Sequence, residues 1–373
     1  MNTTVVIIDD GVSEELIPNL QFKLKYKNKK ISHDESCADI YSHGSICAGI
    51  IKKYAPNTQI GSIRFLDNKG RGTINGLVTS IKWCIDNNVK LIHLSNGTTQ
   101  ACDIPKLYKV ISEAVHKGII IVSACKNERN VSFPASFESV IGVRADVALN
   151  NTEFYLNKHP NGGIDISASS VHCIYLSANE SVYTTLFSNS FAAPVISAII
   201  YNKLSTTNFK LNYSEIRTEL YKISKNTFYD ERYYLNILSY FKNLNSSHDV
   251  PLVVFVGEDA YSLVQYIAKR FLYDNYLPLL FSQNINDCSH ECFYIESAEM
   301  FKSVYCTVAE FYGASLLLAI ILENNIISLD PDVIIIINGT GKDIASNSNI
   351  KTIYAEMFNE DVVYKQLLDM LMG

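Results

Sequence analysis

Ser188-Asn189-Ser190-Phe191-Ala192-Ala193-Pro194 is the stretch from which the fold can be read. A serine followed by a small apolar run ending in proline marks the start of a buried helix. Backbone N–H groups and the positive dipole end of such a helix lie beside the serine oxygen, which makes Ser190 a candidate nucleophile. Small-residue helix starts are common. The heptapeptide gains its meaning from three further pieces that precede it.

Val5-Val6-Ile7-Ile8-Asp9-Asp10-Gly11 is an apolar run of four that ends in carboxylates before a glycine turn. It predicts a buried parallel strand, and open α/β sheets keep their chemistry at the C-terminal ends of strands. Asp9 continues the strand and is the expected orienting carboxylate, while Asp10 is expected to cap the turn. His43-Gly44-Ser45-Ile46-Cys47-Ala48-Gly49 places a histidine at a helix start, framed by small residues that allow close packing. The other seven histidines lack that frame and read as solvated or core residues. Val122-Ser123-Ala124-Cys125-Lys126-Asn127-Glu128 carries an amide from a strand into a polar turn. There Asn127 can donate to an oxyanion beside the Ser190 backbone N–H.

Asp9, His43, Asn127 and Ser190, separated by 34, 84 and 63 positions, resemble the subtilisin-like serine proteases (the subtilase family) in that family's order. The likeness continues through Ile63-Arg64-Phe65-Leu66-Asp67, Leu91-Ile92-His93-Leu94-Ser95-Asn96-Gly97, Phe133-Pro134-Ala135-Ser136-Phe137, Val140-Ile141-Gly142-Val143 and Tyr234-Leu235-Asn236-Ile237. It covers residues 1–242. The resemblance implies a serine endopeptidase with Asp9, His43 and Ser190 as catalytic triad and Asn127 as oxyanion donor; no cofactor or metal is expected. It implies that a peptide adds as a strand along Gly70, Arg71 and Gly72 on one side and Ser95, Asn96 and Gly97 on the other. Arg71 is expected near that path, favouring an acidic or polar side chain. Ser188-Asn189 replaces the family's usual Gly-Thr and Lys126 its usual Gly, so a narrowed or distorted oxyanion site is expected. The helix after His43 runs through Lys52-Lys53-Tyr54-Ala55-Pro56 into the next strand, without the longer loop that carries calcium in many secreted relatives.

Short β-branched runs at Val5–Ile8, Gln59–Phe65, Val89–Leu94 and Gly118–Ala124 alternate with helical patterns at Gly44–Tyr54, Thr73–Asn87 and Ile104–His116. That rhythm predicts an α/β fold, a parallel sheet with helices on both faces. Residues 243–250 read as a polar linker. From 251 to 373 a smaller α/β unit is expected, with strands at Leu252–Val256, Leu277–Phe281, Cys292–Ile295, Val333–Ile337 and Ile350–Ala355. Its helices are predicted from Ala260, over a long stretch near Val304–Glu323, and over Glu360–Met372. From Pro251 onward 6 Lys/Arg stand against 16 Asp/Glu, a net of −10, leaving +4 on the first 250 residues. This asymmetry argues against nucleic-acid binding and suggests docking on a basic surface, including that of the first domain, with plain acidic solubility the alternative. Gly257-Glu258-Asp259 and Gly339-Thr340-Gly341-Lys342-Asp343 fail the phosphate-loop pattern. Cys288 and Cys292 are at most half of a metal site. The unit distantly resembles an accessory domain of clostridial-type peptide maturation systems, which carries no catalytic residues over.

Length allows two domains, and 47% apolar with 19% charged residues is a globular composition. The most apolar stretch, Ala314–Leu322, is too short to span a membrane. Nine scattered cysteines favour free thiols over a disulfide framework. No signal or pro-segment precedes the first strand, so a cytoplasmic enzyme is expected. Its expected partner is a peptide, a precursor peptide that loses its leader. Two rivals stay open: a catalytically impaired binding or scaffold protein, and a general cytoplasmic peptidase.

Overall fold

A computed structural model of the chain describes residues 4–67, 69–127, 131–156, 164–176, 181–225, 241, 246, 249–257, 260–284, 287, 292–322, 326–338, 350–355 and 359–372. The chain divides into two compact units, residues 1–234 and 235–373. The boundary falls upstream of the expected linker. Phe241 lies in the second unit, its ring 4.9 Å from that of Phe311. The family-like Tyr234–Ile237 stretch lies outside the described residues, as do Glu258-Asp259, Cys288 and Gly339–Asp343.

In the first unit the strands are β1 (Thr4–Asp9), β2 (Phe22–Lys27), β3 (Lys30–His33), β4 (Gln59–Arg64), β5 (Leu91–Leu94), β6 (Ile120–Ala124), β7 (Ile141–Ala145), β8 (Phe154–Leu156) and β9 (Ile166–Ala168). They form one sheet in the order β3-β2-β4-β1-β5-β6-β7-β9-β8. Pairing is parallel from β2 across to β9, with β3 and β8 antiparallel at the edges. A separate hairpin joins β10 (Cys173–Leu176) to β11 (Ser181–Thr184). The helices are α1 (His43–Tyr54), α2 (Ile74–Asp86), α3 (Ile104–His116), α4 (Asn189–Thr206) and α5 (Tyr213–Ile223).

The sequence explains the layering. β1 is buried along its whole length, as a strand between parallel neighbours and covered on both faces must be. One core joins Val5, Ile7, Val122 and Ile141 of the sheet to Ile46 and Ile50 of α1 and Ile196 and Ile200 of α4. Each such side chain stabilises the fold by about 1.5–3 kcal/mol on burial. The α1 and α4 helices start at the C-terminal edge of the sheet, so their first residues meet the ends of β1, β5 and β6. That edge is the natural place for a site.

The second unit has β12 (Leu252–Val256), α6 (Ala260–Tyr273), β13 (Pro278–Ser282), β14 (Cys292–Tyr294), α7 (Ala298–Tyr312), β15 (Leu316–Ile320), β16 (Val333–Ile337), β17 (Lys351–Ala355) and α8 (Glu360–Met372). Its sheet is parallel throughout, ordered β14-β13-β15-β12-β16-β17. The expected long helix over Val304–Glu323 is corrected here. It ends at Tyr312, where Gly313 takes the left-handed conformation (φ 67°) and caps it. Leu316–Ile320 is a buried strand between β12 and β13. A continuous apolar run cannot be told from a buried helix by periodicity alone, and the glycine was the available stop signal.

Candidate active site

Asp9 ends β1 and is almost wholly buried at 1% exposure. Its Oδ2 lies 3.0 Å from His43 Nδ1 at the first residue of α1, while its Oδ1 accepts the Asp10 N–H at 2.9 Å. Asp10 does more than cap a turn. Its carboxylate accepts the N–H groups of His43 at 3.0 Å and Gly44 at 2.8 Å, two of the orphan donors at the head of α1. Both carboxylates therefore fix the histidine, one by its ring and the other by its backbone. Burial disfavours the charged imidazole, but the Asp9 charge and hydrogen bond, with Asp10 behind them, outweigh it and raise the His43 pKa above its ordinary 6.5. Burial and the neighbouring Asp9 charge raise that of Asp10. The Phe191 ring, 5.5 Å from the His43 ring centre, closes one side of the imidazole.

Ser190 is the second residue of α4, whose N-cap is Ser188. Its carbonyl accepts from Ser95 Oγ at 3.1 Å and faces Cys47 Sγ, one turn after His43 on α1, at 3.7 Å. Behind Ser95 stands His93, fully buried on β5. Its Nε2 is 2.9 Å from Ser95 Oγ and its Nδ1 2.9 Å from Ser197 Oγ. Because Ser95 donates to Ser190, it must accept from His93 Nε2–H, and Ser197 must donate to Nδ1. Burial pushes the His93 pKa down to about 3, so it is a neutral strut tying β5 and α4 to the nucleophile. As a core histidine it fits the sequence expectation. Its link to Ser190 went unread, although it lies two residues before Ser95 in the specificity segment.

Asn127 follows β6, exposed in the turn. Its Oδ1 accepts the Asn189 N–H at 2.9 Å and the Ser188 hydroxyl at 3.3 Å. With the carbonyl oxygen committed to these donors, Nδ2 is the end left to donate, as an oxyanion donor requires. The Ser190 N–H is not free. Ser188 Oγ accepts it at 3.3 Å, a consequence of the serine that replaces the family's glycine.

A cavity of about 270 Å³ opens beside these groups, lined by Ser95, Asn96, Gly97, Lys126, Asn127 and Ser190 among others. Its walls are held together by a two-way backbone pairing of Thr98 with Phe133 at 2.7 and 2.9 Å. Gly97 allows that approach, since a Cβ there would sit 2.3 Å from the Phe133 carbonyl. Asn96 donates from Nδ2 to the Ile8 carbonyl at 2.6 Å, which anchors the wall to β1. The expected Gly70-Arg71-Gly72 edge is differently built. Asp67 closes a turn: its N–H donates to the Arg71 carbonyl at 2.9 Å and its carboxylate accepts the Arg71 N–H at 2.9 Å. Both peptide groups of Arg71 are used within this turn.

The fold and the site together define a class: a parallel α/β sheet with a buried aspartate paired to a half-buried histidine and a helix-head serine at its C-terminal edge. The sequence model of the subtilase family matches residues 1–230, and the chain belongs to that family of subtilisin-like serine proteases. It is 30% identical over 156 residues to the minor extracellular protease Epr of Bacillus subtilis, a match that spans 39% of this chain and 23% of that protein. With subtilisin DY of Bacillus licheniformis it shares 26% identity, over 60% of this chain and 84% of the relative. Among solved structures, a lanthipeptide protease superposes with a TM-score of 0.50 at 14% identity, covering 60% of this chain and 81% of the other. That likeness is one of fold. No helix among the described residues is long and apolar enough to cross a membrane.

Proposed function

We propose that the chain is a serine endopeptidase that removes the leader from a ribosomally made, modified precursor peptide. The observation that carries the chemistry is the 3.0 Å Asp9–His43 contact beside the head of α4. His43 takes the Ser190 hydroxyl proton, Asp9 holds the imidazole tautomer and stabilises the imidazolium, and Ser190 attacks the peptide carbonyl. The resulting acyl-enzyme is resolved by water. Asn127 Nδ2 binds the oxyanion. The peptide lies as a strand between Gly72 and the Ser95–Gly97 wall, with one side chain in the cavity. Arg71 stands near its path.

The substrate class is supported by the fold likeness to a lanthipeptide protease and by an acidic second unit that suits capture of one dedicated peptide. The described cysteines, all free, fit a reducing cytoplasm. Cleavage by the full chain of a precursor peptide encoded beside its gene, followed by mass spectrometry, tests this reading. Loss of a single leader segment supports it, and general degradation of unrelated peptides would replace it with a housekeeping role. A second reading, a catalytically impaired binding protein, is favoured by the occupied Ser190 N–H. A fluorophosphonate probe separates the two, since only an active serine is labelled.

A further inference from the structure

We infer that Asn189 is a positioning residue for the oxyanion donor, a role resting on the assignment of that donor to Asn127. The segment after β6 is tied to its neighbours by backbone donors. Cys125 N–H donates to Val143 O at 2.8 Å and Lys126 N–H to Ser132 Oγ at 2.9 Å. The Asn189 side chain adds a further tie. Its Nδ2 donates to the Lys126 carbonyl at 2.8 Å, and its Oδ1 accepts the Ala145 N–H at 2.7 Å, at the end of β7. Its backbone N–H donates to Asn127 Oδ1 at 2.9 Å. One residue thus grips the peptide that carries Asn127, orients the Asn127 carboxamide and anchors both to the sheet.

The physical need is definite. An oxyanion donor works when it is held in place before charge develops, within about 2.7–3.1 Å of the oxyanion's position. Loops are poor at this unless a supporting contact locks them. A threonine, usual at this position in the family, has no amide with which to span Lys126 O and Ala145 N–H. The asparagine and the altered Lys126 therefore read as a matched pair: the clamp holds by its carbonyl a peptide whose side chain has changed.

The test uses the full chain, p-nitrophenyl acetate turnover and the rate of Ser190 labelling by a fluorophosphonate, with Asn189→Ala, Asn127→Ala and the double variant. Asn189→Ala should lower kcat and the labelling rate by roughly 10–100-fold, less than loss of the donor itself. KM should change by less than about threefold, since the loss falls on the transition state. The double variant should match Asn127→Ala alone, because a residue that acts through another adds nothing once the other is gone. Should Asn189→Ala fail to fold, Asn189→Asp replaces it, keeping the acceptor for Ala145 N–H while turning the Lys126 contact repulsive. It should be as slow. Asn127→Ala slow with Asn189→Ala at wild-type rate overturns the clamp alone, and a double variant slowed by the product of the single effects does likewise. Asn127→Ala at wild-type rate removes the donor assignment and the clamp with it.

Discussion

The two units solve the same architectural problem and spend it differently. Both are built on parallel strands, the first with an antiparallel strand at each edge, and their central strands are wholly buried. The second is an apolar unit: β15 reads Leu-Leu-Leu-Ala-Ile and β16 Val-Ile-Ile-Ile-Ile, and its buried polar residues among those described are Ser282, Asp287 and Thr307. The first buries Asp9, Asp34, Asp165, Arg217, His93 and His172. A parallel sheet does not need such groups, and burying them costs free energy unless each is paired. In the first unit some of these groups, Asp9 above all, serve the candidate site, and others, the Asp165–Arg217 pair, hold the fold.

The largest effect expected is on Ser190. Ser190→Ala should reduce cleavage by roughly 10⁶-fold and abolish fluorophosphonate labelling, while Ser282→Ala leaves both unchanged. Ser282 also has a carboxylate partner, Asp287 Oδ2 at 2.6 Å, so the pair of substitutions asks whether a buried serine–aspartate contact suffices for chemistry. Labelling that survives Ser190→Ala and disappears with Ser282→Ala would invert the comparison.

Next comes the Arg217–Asp165 pair of the first unit, both partners buried and Asp165 also accepting the Gly142 N–H at 3.1 Å. Arg217→Ala leaves a carboxylate buried without its cation and should destabilise the first unit by about 3–5 kcal/mol. Thermal unfolding should show the transition that carries the Ser190 activity moving down. An unmoved transition would mean that the buried charge is not a structural element of this sheet. Asn127→Ala, by contrast, should leave stability alone and lower turnover about 10²–10³-fold.

Much of this division is legible in the sequence. Asp9, His43, Asn127 and Ser190 stand at strand ends and helix heads, and those places are announced by apolar runs and small-residue helix starts. What escaped has physical reasons. The β2–β3 hairpin hides in a lysine-rich segment, yet Phe22, Leu24 and Tyr26 alternate with lysines, and its turn residues Asn28 and Lys29 both have positive φ, which asparagine tolerates. The β15 strand is hard to tell from a helix by sequence because a buried apolar run carries no period. The Asn189 clamp and the His93 strut depend on which distant segments the fold brings together, and no local pattern encodes that.

The electrostatics of the first unit give a smaller effect with a definite sign. His43 must be neutral to act as base, so kcat/KM should fall on the acid side with an apparent pKa above the ordinary 6.5. Asp10 is one of the charges that raises it. Asp10→Asn removes that charge, weakens the imidazolium, and should shift the acid limb to lower pH. A limb that moves upward would show that the capping hydrogen bonds of Asp10, not its charge, govern the histidine.

The smallest effect is the one that bears most on how active the site is. Ser188 is an ordinary N-cap, its hydroxyl accepting the N–H two residues on, and N-cap serines are worth about 1 kcal/mol to a helix, against a few tenths lost on change to glycine. Here the N–H it accepts is that of Ser190, at 3.3 Å, and the same N–H is the second donor an oxyanion would use. The contact is long and therefore weak, so the oxyanion can displace it, but the displacement is charged to the transition state. Ser188→Gly should free the N–H and raise kcat a few-fold with KM unchanged, at a slight loss of stability. Within the comparison of the two units, this is a place where the first unit's fold and its chemistry compete for one hydrogen bond. A Ser188→Gly protein slower than wild type would show that the hydroxyl, through its bond to Asn127 Oδ1, supports the oxyanion site rather than obstructing it.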